Sequence, residues 1–99
     1  MGHFREEDKI LLYITRTTAE KLETGSWDDC TAIFNRLALE RRTQDGLTAA
    51  YRSLKKRSLK AKARTPEWDA TRKQVRDWLL EASLVHQLLI RKANEPHRR

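Results

Sequence analysis

A chain of 99 residues with 38% hydrophobic content can bury one small core and not two, so one domain is expected. Twenty-one Lys and Arg against 14 Asp and Glu give a formal charge of +7, which favours acidic partners: nucleic acid, anionic lipid or acidic protein tails. The single cysteine, Cys30, excludes an internal disulfide and suits a reducing compartment, and no run approaches ~18 apolar residues or the pattern of a secretory signal, so neither a membrane span nor a leader is expected.

The chain opens with Met1-Gly2, but Glu6 stands where an acylation signal wants Ser or Thr, so no lipid anchor is expected and residues 1–3 read as a tail. Residues 4–23 place Ile10, Leu11, Ile14, Thr18 and Leu22 at helical spacing, with Glu6, Glu7 and Asp8 at the positive end of the helix dipole. That predicts a first helix, weakest at the threonines of Thr15 to Thr18 and stopped by Gly25. Ser26 caps a second helix with Asp29 as its capping-box partner, and Trp27, Cys30, Phe34 and Leu37 form its apolar stripe. Thr43 caps a third, in which Leu47, Ala50, Tyr51 and Leu54 face inward while Asp45, Thr48, Ala49, Arg52, Ser53 and Lys56 face out.

A basic linker, 58–64, follows. Thr65-Pro66-Glu67 then reads as a cap, a first-turn proline and a dipole-compatible acid, predicting a long amphipathic helix over 65–93 and a polar tail over 94–99. Trp68, Val75, Ala82 and Leu89 repeat every seven residues, interleaved with Trp78 and Val85, as a seam expected to pack on the domain. Leu79 falls outside that seam. Leu80, Leu84 and Leu88 form a second stripe, expected to meet a partner helix or a second copy in a homodimer. With no strand alternation, no Gly-rich loop and no repeat, the fold class expected is all-α: a three-helix bundle plus a long fourth helix.

"FREEDKILL", "SWDDCTAIFNRL" and "RRTQDGLTAAYRSLKKR" put Phe4 and Trp27 at the heads of the first two helices and Tyr51 inside the third. Residues 4–57 thereby resemble a Myb/SANT domain, in which three aromatics, usually tryptophans, knit three helices. Phe4 and Tyr51 depart from the commonest tryptophans, and both inter-aromatic gaps are longer than usual. The resemblance implies a helix-turn-helix module of nuclear transcription or chromatin regulation whose third helix enters the major groove. Carried over by position, Asp45, Thr48, Ala49, Arg52 and Ser53 would face base edges. Lys55, Lys56, Arg57, Lys60, Lys62 and Arg64 would meet phosphate. Only Arg52 suits direct readout, as a bidentate donor to guanine. From Arg52 to Arg64 the chain has seven basic residues and no acidic one, a pattern suited to sequence-independent phosphate neutralisation and also to a nuclear-import patch. The alternative the resemblance implies is a protein-binding SANT module of a chromatin or transcription complex, holding a partner helix or peptide without DNA readout.

Nothing in the sequence reads as an enzyme. His86 lacks a second ligand at helical spacing, His3 and His97 fall in the expected tails, and the serines and threonines read as caps. Cys30 reads as a core residue, Trp68 and Trp78 as seam residues rather than base-stacking platforms, and no cofactor or metal is expected.

Overall fold

The computed structural model describes residues 4–94, with side chains to Leu89. Within them lie five helices: α1 (Glu6–Lys21), α2 (Trp27–Leu37), α3 (Gln44–Arg52), α4 (Lys56–Ala63) and α5 (Asp69–Asn94), the last preceded by a 3-10 turn, Pro66–Trp68. The all-α class is as expected. Residues 1–3 and the tail from residue 95, with His3, Pro96 and His97, lie outside the described residues.

Each boundary has a local cause. α1 passes through its threonines because the Thr15 and Thr17 hydroxyls donate to the carbonyls of Leu11 (2.8 Å) and Tyr13 (2.6 Å), so neither is left unsatisfied. After it the chain reverses through Gly25 at φ +92°, a left-handed conformation that glycine adopts without strain. Ser26 and Asp29 make the reciprocal capping box of α2, and the Gly46 amide donates to Thr43 Oγ1 (3.1 Å) to cap α3. Between α2 and α3, Asn35 clamps the chain: its side chain accepts from the Arg42 amide (2.8 Å) and donates to the Arg42 carbonyl (2.9 Å). That pair fixes where α3 begins.

The core centres on α1, which packs against each of the other four helices. Leu12, Ile14, Phe34, Leu47, Val75 and Leu79 are its largest fully buried apolar side chains, each stabilising the fold by roughly 1.5 to 3 kcal/mol of removed apolar surface. Leu79 reaches the α1–α2 turn, where a Cβ on Gly25 would stand 2.6 Å from Leu79 Cδ2. No side chain larger than hydrogen fits there while Leu79 keeps its place.

Three expectations are corrected. The basic linker is a helix, α4, whose Leu59 and Ala63 are buried against α1 one turn apart. Thr65 caps nothing; its hydroxyl donates back to the Lys62 carbonyl (2.9 Å). The seam of α5 also fails in its outer half, for Val85 and Leu89 are 52% and 62% exposed while Leu79, assigned outside the seam, is fully buried. The reason is length. A helix of 26 residues spans ~39 Å, against ~24 Å for the 16 of α1, so α5 runs past the body that would cover it. The molecule measures 56 × 30 × 21 Å.

Candidate nucleic-acid interface

The expected base-facing residues share one side of α3. Leu47 and Tyr51 turn inward, which leaves Asp45, Ala49 and Arg52 exposed and Thr48 half-exposed on the opposite side, with Ser53 at the helix end. The hydroxyls of Thr48 and Ser53 donate into the helix, to Gln44 (2.8 Å) and Ala49 (3.4 Å) carbonyls, so each presents lone pairs outward. α3 is nine residues, ~13 Å, long. Its angle is set at both ends, by the Asn35 clamp before it and by Tyr51 near its close.

Tyr51 is a junction. Its hydroxyl donates to the Glu20 carboxylate of α1 (3.0 Å), its ring meets Trp27 edge-on at 5.7 Å, and the Lys56 ammonium lies 4.4 Å from its ring centre. Burial, then the hydrogen bond to Glu20, pushes the Tyr51 phenol well above its ordinary range. Phe4 stands apart from this pair, against Phe34 at 6.3 Å and under the Arg42 guanidinium at 4.4 Å. The three aromatics therefore fall into two separate groups, Trp27 with Tyr51 at the close of α3, and Phe4 with Phe34 of α2 and Arg42 of the loop before α3.

The six expected phosphate-facing residues are all exposed, but α4 distributes them around its axis. Arg57 lies on the side away from Leu59 and Ala63. Lys62 projects to one flank, where it pairs with Glu6 of α1 and holds that carboxyl below its ordinary range. Lys60 lines the other flank, a groove it shares with Tyr13, Thr17, Lys21 and Arg64. Lys55 stands at the α3–α4 junction, over a groove of about 620 Å³ bounded by Phe4, Glu6, Lys9, Ser58 and Lys62. No side chain caps the amino end of α4. Arg72 is taken up structurally, donating to the Ala63 carbonyl and pairing with Asp69, which ties the α4 carboxyl end to α5. Among the described residues no ion pair engages Arg52, Lys55, Arg57, Lys60 or Arg64.

Charge is unevenly divided. Residues 41–64 hold nine of the 21 Lys and Arg and one of the 14 acidic residues, so the remaining 12 basic and 13 acidic residues nearly cancel. The whole positive balance sits on α3, α4 and the loop before them. Lys9 and Lys21, on α1, border the same grooves and escaped sequence reading because a basic linker gave no face for them to adjoin.

Leu80, Leu84 and Leu88 are 38%, 60% and 59% exposed on the outer half of α5. Cys30 is fully buried, its thiol pushed up by burial, with the Arg16 guanidinium 3.8 Å from Sγ. Among the described residues no cluster of His, Cys, Asp or Glu could hold a metal, and no helix is long and apolar enough to cross a membrane. Comparison of the chain with protein-family models, with curated proteins and with solved structures gives no match.

Proposed function

We propose that the chain is a DNA-binding module of Myb/SANT type, working in nuclear transcription or chromatin regulation and holding duplex DNA mainly through phosphate contacts from the end of α3 and from α4. The observation that carries this reading is the concentration of the chain's entire positive balance on residues 41–64, with Arg52, Lys55, Arg57, Lys60 and Arg64 exposed and without an ion pair among the described residues. The uncapped amino end of α4 adds backbone N–H groups and the positive end of a helix dipole beside Lys55 and Lys56, a disposition suited to a phosphate oxygen. Base readout falls to Arg52, since Ala49 offers only a methyl contact and Asp45 meets phosphate repulsion.

Binding of a fluorescent duplex across a salt series tests it. With Lys62 paired to Glu6, phosphate contacts from Lys55, Lys56, Arg57, Lys60 and Arg64 imply a log–log slope near −4.5, a loss of roughly 500-fold between 50 and 200 mM salt. Lys55→Glu, Lys56→Glu and Arg57→Glu together should abolish binding to all sequences alike, whereas Arg52→Ala should relax preference at one base pair by ~1 to 3 kcal/mol. Undetectable duplex binding in the lowest salt would overturn the reading. The protein-interaction alternative, which rests on the exposed leucines of α5, would then take its place.

A further inference from the structure

The outer half of α5 carries two apolar features on adjoining faces. One is a ridge, Leu80, Leu84 and Leu88. The other is a groove of about 410 Å³ between α2 and α5, floored by Ala32, Ile33, Trp78, Ala82, Val85 and Leu89. Its rim has both signs of charge, Asp29 and Glu81 with Arg36, beside the His86 imidazole, and Arg36 lies over the Trp78 ring at 4.3 Å. Among the described side chains of α5 the last fully buried one is Leu79, and beyond it the ridge and the outer end of the groove, at Val85 and Leu89, stand exposed.

We propose that this surface is a homodimer interface, in which the leucine ridge of each copy seats in the α2–α5 groove of the other about a two-fold axis. Two arguments favour a second copy as the occupant. First, a two-fold contact needs both halves of the complementarity on one molecule. Here a leucine ridge and a groove of about 410 Å³ are both carried by the outer half of α5, so a single two-fold rotation can bring each ridge to the other copy's groove. Second, the area suffices. Leu84, Val85, Leu88 and Leu89 are 52% to 62% exposed and Leu80 38%. At on the order of 100 Å² each they leave roughly 500 Å² per copy, at the upper end of what a monomer leaves bare. Two copies would bury on the order of 1,000 Å² of apolar surface, and the rim adds the polar share of a specific interface of roughly 1,200 Å² or more. The basic surface of α3 and α4 stays outside the interface, so the proposal does not depend on DNA binding.

Sedimentation equilibrium on the full chain without nucleic acid tests it. The wild type should give a species of twice the 11.7 kDa chain mass. Leu84→Glu with Leu88→Glu, and separately Ala32→Arg, should each give the single-chain mass with unchanged helical circular dichroism. Ala32 is exposed on α2, so its variant probes the groove without touching the core and serves even if the double variant unfolds. A wild type that stays at the single-chain mass up to its solubility limit would overturn the dimer. An Ala32→Arg chain that still dimerises would overturn the α2–α5 groove as the seat.

Discussion

Gly25 shows how much can rest on one position without a side chain. Its φ of +92° and its 2.6 Å approach to Leu79 are separate demands, one on the backbone and one on space, and alanine violates both. Gly25→Ala should therefore cost ~1 to 3 kcal/mol in urea unfolding with an unchanged m-value, well above the few tenths typical of a surface change. A variant as stable as wild type would mean that the turn leaves its left-handed conformation at no cost and that Leu79 repacks freely. Tyr51 makes a pH-dependent demand. Its folded pKa lies above the ordinary 10, so the neutral phenol is the form the fold favours; its contribution is complete below pH ~10 and is lost as pH rises beyond it. Cys30, raised from an ordinary 9.0 by burial, works in the same direction from a lower pH. The melting temperature should accordingly fall on going from pH ~8 to ~11, and Tyr51→Phe should fall less steeply. Parallel curves for the two proteins would place the alkaline loss elsewhere.

At the scale of elements, α5 divides into a buried inner half and an exposed outer half. Its inner half supplies Val75 and Leu79 to the core, so a chain ending at Thr65 should lose cooperative unfolding; a folded truncation would show that α1 to α4 suffice. Such behaviour was only half legible in the sequence. Caps are local chemistry, a hydroxyl or carboxylate within three residues of the amide it serves, and Ser26, Asp29 and Thr43 could be read from spacing alone. The inward turn of Leu47 and Tyr51 was likewise visible in a 3.6-residue period. α4 was not, because a helix of eight residues with only Leu59 and Ala63 inward has too few apolar positions to show a period, and it stands only because α1 covers them. The α5 seam misled because heptad spacing tells which side chains share a face, not where the neighbouring helix ends. The candidate site followed the same division. Its residues were legible from composition, but their spread around α4, the Lys62–Glu6 pair and the contribution of Lys9 and Lys21 depend on a contact between α1 and α4, which have 34 residues of chain between them.

On the scale of the whole molecule, α1 organises the fold and the remaining helices divide its surroundings, with the positive charge on α3 and α4 and the bare apolar surface at the far end of α5. If both proposed contacts form, this separation keeps the salt-sensitive one on α3 and α4 and the salt-insensitive one on α5 from competing for the same residues. The seat of Leu79 against Gly25 has a further consequence, for the order in which the chain becomes whole. The hollow bounded by Ala19 and Gly25 belongs to the first turn made, yet the residue that fills it arrives 54 positions later. At a synthesis rate of about 5 to 20 residues per second, the nascent chain must wait roughly 3 to 11 s with that hollow unfilled. For that interval the α1–α2 turn is without the side chain that packs it, so its final packing can be completed only after Leu79 has been made.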